Sequence, residues 1–154
     1  MHGASLKMRN ARGFPQGGVA SAKFWPLAFD PAIKIINTRF VEGNGYADDL
    51  AIVFGGSDPN KVVDRLQCII DRLVDWGKTC GLMFNPKKTE AIYFSRARTL
   101  PLCKPLFVDG QHVPFSDTAR YLGVYLDRKL YWTHHVQIRL AKAKRYLMLS
   151  LIHI

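Results

Sequence analysis

The tetrapeptide Tyr46-Ala47-Asp48-Asp49 lies between two short runs of β-branched and aromatic residues, 38–41 and 50–54. Such runs on both sides of a segment rich in Gly, Asn and Asp predict an antiparallel β-hairpin. The tip of this hairpin falls either at Asn44-Gly45 or at Ala47-Asp48. The second alternative places two neighbouring acids directly at a tight turn.

Neighbouring carboxylates repel each other when a turn holds them together. At about 4 Å the repulsion is about 4 kcal/mol for an effective dielectric constant of about 20, and a cation beside the pair removes it. In a flat strand the two side chains would point to opposite faces, whereas at a tight turn both can reach one site. Asp48 and Asp49 are therefore candidate ligands for Mg²⁺ or Mn²⁺, which prefer oxygen donors. The same pair also fits an exposed turn without a ligand.

Helices are predicted on both sides of this hairpin. Residues 19–36 have a helical pattern, which Pro26 and Pro31 should kink or split. Downstream, Asp58-Pro59 supplies an N-cap and a first-turn proline for a second helix with apolar residues at helical spacing. A third helix is predicted from Thr133, with one apolar face formed by Val136, Leu140, Ala143, Leu147 and Leu151.

Short strands are predicted between the second and third helices. They cover residues 82–84, 90–94, 106–108, 112–115 and 121–126. The dipeptide Asp109-Gly110 is a typical two-residue hairpin turn between the third and fourth of these strands. The order helix, hairpin, helix, strands, helix predicts an α+β fold in which helices pack on an antiparallel sheet.

Composition and charge narrow the possible functions. The 154 residues are 48% hydrophobic, which excludes a disordered chain, and no stretch is apolar enough to cross a membrane. The net charge of +10 indicates a polyanionic partner such as nucleic acid. Residues 1–40 carry six bases against one acid and residues 119–154 seven bases against one, whereas residues 41–84 carry seven acids against four bases. An acidic centre between basic flanks is typical of a metal-dependent enzyme that acts on nucleic acid.

Five motifs in succession resemble the reverse transcriptases of non-LTR retrotransposons. They lie at residues 13–17 (Gly-Phe-Pro-Gln-Gly), 46–49, 81–90, 121–124 and 130–135. Their order and spacing are similar to those of the family over residues 12–140. The Tyr-Ala-Asp-Asp motif is the most specific of the five.

The resemblance implies a partial right-hand polymerase palm at residues 1–126 and the start of a helical thumb at residues 127–154. In such a palm, Asp48 is the main ligand of the catalytic Mg²⁺ or Mn²⁺ and Asp49 is the supporting carboxylate. Lys88 matches a catalytic lysine near the departing pyrophosphate. The implied activity is RNA-directed DNA polymerisation, in which two metals help a primer 3′-hydroxyl to attack a deoxynucleoside triphosphate.

The resemblance also implies a set of substrate-binding residues. Gln16 and Gly17 would lie near the incoming nucleotide and the template, and Tyr46 would lie beside the primer end. A turn that supports the primer would contain Tyr121, Leu122 and Gly123. The implied partners are an RNA template, a DNA primer and deoxynucleoside triphosphates, and we expect an intracellular location, in the cytoplasm or the nucleus, without a membrane.

One departure from the family bears on activity. The family has a further metal-binding aspartate on a palm strand well upstream of the Pro-Gln-Gly turn, and only 14 residues precede Pro15 here. We expect this chain to be inactive by itself and to require the fingers and the first palm strand from elsewhere. Two alternatives remain open, a noncatalytic basic module that binds nucleic acid and a metal-dependent nuclease that uses the same aspartates.

Overall fold

The computed structural model of this chain describes residue 18 and residues 20–152, with side chains as far as residue 149. This part of the chain forms three α-helices and eight short strands. In chain order the elements are α1 (Ser21–Ile36), β1 (Val41–Tyr46), β2 (Asp49–Phe54), α2 (Pro59–Cys80), β3 (Ala91–Ile92), β4 (Leu106–Val108), β5 (Gln111–Val113), β6 (Phe115–Ser116), β7 (Thr118–Tyr121), β8 (Val124–Asp127) and α3 (Thr133–Ile152). The mixture of helices and small sheets agrees with the predicted α+β class.

The first helix runs without a break through both of its prolines. Pro26 and Pro31 lie inside α1. Of the two predicted effects of these prolines, a kink or a split, the split does not occur. A proline in a helix interior costs about 3 kcal/mol because it removes a backbone donor and crowds the preceding turn. The side chains of Phe29, Ala32 and Ile36 are buried on one face, and we attribute the continuity of α1 to this burial.

The second helix has the ends that its sequence predicts. The carboxylate of Asp58 accepts a hydrogen bond from the backbone N–H of Asn60 at 3.0 Å, and Pro59 occupies the first helical position. Gly81 ends the helix in the left-handed conformation, with φ at 74°. A glycine adopts this conformation without the Cβ clash that other residues suffer, so it is a common helix terminator.

The strands form four separate pairs in the part of the chain that the structure describes. Three are antiparallel hairpins, β1–β2, β4–β5 and β7–β8, and one is the parallel pair β3–β6. The single antiparallel sheet predicted from the sequence is therefore not observed among these residues. A short turn closes each hairpin locally, whereas joining the pairs into one sheet requires contacts between distant segments.

Two of the strand predictions downstream of α2 are wrong. Residues 82–84 form no strand, because the Leu82 N–H closes the end of α2 on the Gly77 carbonyl at 2.8 Å and Phe84 packs into the core. Residues 121–126 do not form one continuous strand, because the chain reverses at Leu122 and Gly123 between β7 and β8. Both turn residues have positive φ, 48° and 78°, and a leucine rarely adopts this conformation.

The core consists of two apolar clusters on either side of α2. The first joins α1 to the β1–β2 hairpin and includes Phe29, Ile36 and Leu73. The second joins α2 to β3, β4 and β5 and includes Val108 and Val113. An apolar cavity of about 520 Å³ lies beside β2 and is bounded on its other side by residues 89–94.

The third helix leaves the body of the fold after its first turns. It begins at Thr133 as predicted and contacts β8. Its predicted apolar face is largely exposed, since Val136, Leu140 and Leu147 keep 49%, 55% and 64% of their surface accessible. Among residues 20–152, no helix has the length and apolar character needed to cross a membrane.

Candidate active site

The two neighbouring aspartates lie at the tip of the β1–β2 hairpin. Tyr46 pairs with Asp49, and Ala47 and Asp48 form the two-residue loop between them. The second predicted position of the tip is therefore confirmed. Ala47 has a φ of 53°, a left-handed conformation that costs a residue with a Cβ about 1–2 kcal/mol. Strain of this kind persists only where surrounding contacts hold it.

The hairpin presents its polar residues away from the core. Gly43 and Gly45 of β1 face α1, where an added Cβ would lie 2.3 Å from Ile36 and 3.1 Å from Ile33. Because side chains alternate along a strand, Tyr46 lies on the opposite face from these glycines. Its strand partner Asp49 shares that face, so the tyrosine and the aspartate project to the same side.

The tip is exposed and carries unneutralised negative charge. Tyr46 keeps 67% of its surface accessible, and Asp48 and Asp49 are exposed. Within residues 20–152, neither aspartate has a Lys, Arg or His nitrogen within 4.0 Å, whereas Asp64 pairs with Lys104 at 2.7 Å. The tip can therefore accept a cation from solution without first breaking an ion pair in this part of the chain.

Lys88, the predicted catalytic lysine, lies outside the β1–β2 hairpin that carries the two aspartates. A 3₁₀ turn, Pro86–Lys88, contains Lys88 at its end, and the Asn85 side chain accepts a hydrogen bond from the Lys87 N–H at 3.0 Å. Lys88 is exposed, and no hydrogen bond or ion pair in the described residues joins it to either aspartate. The role of Lys88 stays a prediction. Gln16 and Gly17 lie outside the described residues.

The predicted primer-supporting turn is fastened to the third helix. The Arg139 guanidinium donates a hydrogen bond from Nη2 to the Gly123 carbonyl at 3.1 Å. One helical turn earlier, His135 Nδ1 accepts a hydrogen bond from the Tyr125 N–H at 3.2 Å. Leu122, at the first turn position, keeps 45% of its surface accessible. These contacts make the turn and the start of α3 one unit.

Sequence reasoning missed a carboxylate that organises the connection between β8 and α3. Asp127 accepts hydrogen bonds from the backbone N–H groups of Lys129, Tyr131 and Trp132 at 3.1, 3.0 and 2.8 Å. The hydrogen bond from Tyr131 is the main cause that holds the pKa of Asp127 below its ordinary value. Trp132, like Leu130, has a positive φ. An aspartate at a strand end before an irregular segment is the signal that could have found it.

A second missed residue touches the aspartate tip. The indole N–H of Trp25 in α1 donates a hydrogen bond to the Ala47 carbonyl at 2.5 Å. The sequence predicts for this tryptophan only packing at the core or at its edge. No local signal could have found the contact, because 22 residues separate its partners.

The two carboxylates at the tip supply some of the ligands that a divalent cation needs, but not all of them. Mg²⁺ in proteins is usually held by one or two carboxylates, with waters and substrate phosphates completing an octahedron. Asp48 and Asp49 supply two such carboxylates. Residues 20–152 contain no group of three or more His, Cys, Asp or Glu side chains that could hold a metal ion. Any further protein ligand would therefore have to come from outside this part of the chain.

Comparisons with known proteins agree on one family. Residues 2–126 match the family described as reverse transcriptase (RNA-dependent DNA polymerase). A probable RNA-directed DNA polymerase from transposon X-element of Drosophila melanogaster is 27% identical over 149 residues, 91% of this chain and 16% of that relative. Another, from transposon BS of the same fly, is 30% identical over 130 residues, 81% of this chain and 14% of the relative.

A more distant relative also comes from a retrotransposable element. A retrovirus-related Pol polyprotein from the type-1 retrotransposable element R1 2 of Nasonia vitripennis is 23% identical over 81% of this chain and 32% of the relative. The chain therefore spans only a small part, 14–32%, of these curated relatives. No solved structure matches it significantly. Because the family match covers most of the chain, the protein belongs to the reverse transcriptase (RNA-dependent DNA polymerase) family.

Proposed function

We propose that this chain is part of the palm and the start of the thumb of a retrotransposon polymerase, and that it serves RNA-directed DNA synthesis. The palm part would be residues 1–126 and the thumb part residues 127–154. The observation that carries this proposal is the exposed hairpin tip with two adjacent carboxylates that have no ion-pair partner in the described residues. Family membership supports the polymerase chemistry over other uses of such a tip.

The proposal gives the residues at the tip distinct roles. Asp48, in the loop, would be the main ligand of Mg²⁺ or Mn²⁺, and Asp49, at the start of β2, the supporting carboxylate. Bound divalent ions stabilise the attacking and leaving oxygen atoms of a phosphoryl transfer. Tyr46, on the same face as Asp49, would lie beside the primer end.

The remaining predicted residues would bind the substrates. Gln16 and Gly17 would lie near the incoming deoxynucleoside triphosphate and the template. Lys88 would stabilise the charge that develops on the departing pyrophosphate, because an exposed lysine can approach a phosphate freely.

The path of the nucleic acid would follow the basic third helix. Arg139, Lys142, Lys144 and Arg145 of α3 have no acidic partner within 4.0 Å in the described residues. Lys and Arg side chains without an acidic partner bind a phosphate backbone by releasing its condensed counterions. Since Arg139 also holds the turn at residues 121–123, an RNA and DNA duplex on α3 would lie against Tyr121, Leu122 and Gly123.

We further propose that a strand supplied from outside the described residues completes the site. The apolar cavity beside β2 begins at Leu50, directly after Asp49. In residues 20–152, β2 pairs only with β1, and β3 on the other side of the cavity pairs only with β6. A strand added along β2 would fill the cavity and bring a further carboxylate to the tip. The first palm strand of the family would have this position.

Primer extension tests this function. A labelled DNA primer on an RNA template is incubated with Mg²⁺, deoxynucleoside triphosphates and the chain, alone and with the fingers and first palm strand of a full-length family member. We expect no extension by the chain alone and extension by the mixture. Asp48→Asn should reduce extension by about a hundredfold or more, whereas Asp75→Asn, an exposed acid of α2, should leave it unchanged.

Three outcomes would contradict the proposal in different ways. Equal extension by the mixture with Asp48→Asn would exclude the tip as the metal site. Strong extension by the chain alone would exclude the need for an added strand. RNA binding that depends on salt and on α3, combined with no extension in any mixture, would favour the second candidate function, a noncatalytic nucleic-acid-binding module.

A further inference from the structure

Trp25 forms a hydrogen bond with the peptide unit that joins Ala47 to Asp48. Its indole N–H donates to the Ala47 carbonyl at 2.5 Å, and that carbonyl belongs to the peptide whose N–H is that of Asp48. Ala47 is also the strained residue of the loop, with φ at 53°. The hydrogen bond from Trp25 is therefore made at the strained residue of the loop, where a surrounding contact is needed to hold the conformation.

The core fixes the direction of this donor. The Trp25 ring stacks on Phe29, with centroids 5.7 Å apart and planes inclined by 17°. Phe29 is buried and meets Trp76 of α2 edge to face, again with centroids 5.7 Å apart. Aromatic pairs in such arrangements stabilise each other beyond the effect of the area that they bury. The Trp25 indole is thus one end of a row of three rings that crosses from α1 to α2.

The rest of α1 holds the hairpin in the same orientation. At the base, the Asn37 side chain accepts a hydrogen bond from the Gly43 N–H at 2.7 Å. Farther along, the absence of a side chain at Gly45 lets β1 lie within contact of Ile33 and Phe29. Together with the hydrogen bond from the indole, these contacts support β1 from its base to the tip.

We propose that Trp25 is a positioning residue for the metal-binding carboxylates. Its N–H keeps the Ala47–Asp48 peptide in one orientation, so that the exposed side chains of Asp48 and Asp49 keep one arrangement at the tip. Without this donor, the strained loop relaxes to other turn conformations and the two carboxylates lose this arrangement. This inference rests on the proposed metal-binding function of the tip and deepens it.

A conservative substitution separates positioning from packing. Trp25→Phe keeps a ring on Phe29 but removes the N–H donor. Trp76→Phe is the matched control, because it changes a second tryptophan of the same cluster whose indole makes no hydrogen bond in the described residues. The probe is Mn²⁺ alone, and its affinity for the full chain is measured from the spin-resonance signal of the free ion. Urea unfolding of each variant is measured in parallel.

We expect Trp25→Phe to weaken Mn²⁺ binding by about tenfold, as is typical when a group that orients metal ligands is removed. Trp76→Phe should change the affinity by less than about twofold although it loses comparable stability. Equal Mn²⁺ affinities of the two folded variants would overturn the positioning role. An Asp48→Asn variant that binds Mn²⁺ as the wild type does would instead overturn the metal site itself, and the role of Trp25 with it.

A measurement on the wild type covers the case in which Trp25→Phe fails to fold. The indole N–H of Trp25 should exchange with deuterated solvent at least about tenfold more slowly than that of the exposed Trp132. Addition of Mg²⁺ should shift its resonance in the wild type but not in Asp48→Asn. Exchange as fast as that of Trp132, or no shift with Mg²⁺ in the wild type, would refute the proposal.

Discussion

The β1–β2 and β7–β8 hairpins have similar turns but differ in charge, since two aspartates lie at the first turn and Arg139 contacts the second. Each reverses the chain in two residues, with at least one left-handed residue in the turn, and each turn carbonyl is held by a side chain from a helix. At the first tip the donor is the neutral Trp25, set in an aromatic cluster. At the second turn the donor is the charged Arg139 on an exposed helix. Under the proposed function, the first turn would hold a cation and the second would lie against a phosphate backbone.

The first hairpin depends on close approach to α1, and this gives the largest expected effect. Gly43→Ala places a Cβ 2.3 Å from the Ile36 side chain, so the hairpin and the helix must separate. We expect a loss of about 3 kcal/mol in the free energy of unfolding, measured by urea denaturation. Gly55→Ala is the control, since a Cβ there meets nothing within 4 Å and should stabilise the fold by about 0.5 kcal/mol.

A neutral result for Gly43→Ala would show that β1 is free to move away from α1. The first tip would then not be fixed by the helix beneath it, and the two turns would not be held in the same way.

Both turns should be more stable with glycine than with alanine at their left-handed position. Ala47→Gly relieves the left-handed strain at φ 53° and should stabilise the fold by about 1 kcal/mol. Gly123→Ala introduces the same strain at φ 78° and should destabilise by about 1–2 kcal/mol. Thermal unfolding of the two variants tests both signs. Destabilisation by Ala47→Gly would mean that the loop is not strained as described.

The sequence predicts those features that depend on neighbouring residues. The Asp58 cap, the Asp109-Gly110 turn and the start of α3 at Thr133 are all confirmed. Each follows from the chemistry of a few adjacent residues. At residues 121–126 the residue pattern alone predicts a continuous strand, because Leu122 gives no local sign of its left-handed conformation. Only the family resemblance implies a turn there.

Features that depend on distant partners could not be predicted. Residues 82–84 have the composition of a strand but find no partner in the described part of the chain. The contact between Trp25 and Ala47 depends on how α1 and the β1–β2 hairpin meet. At the candidate site, the sequence therefore predicts the aspartates themselves but not the side chain that holds their turn.

The position of bound Mn²⁺ tests the central claim most directly. Backbone amide signals of the ¹⁵N-labelled chain are recorded while Mn²⁺ is added, because the ion broadens the signals of nearby nuclei. The metal site at the hairpin tip predicts that broadening begins at residues 46–50 and disappears there in Asp48→Asn and Asp49→Asn. Broadening that begins elsewhere, for example at the acids of α2, or that persists at the tip in both variants, would contradict the claim.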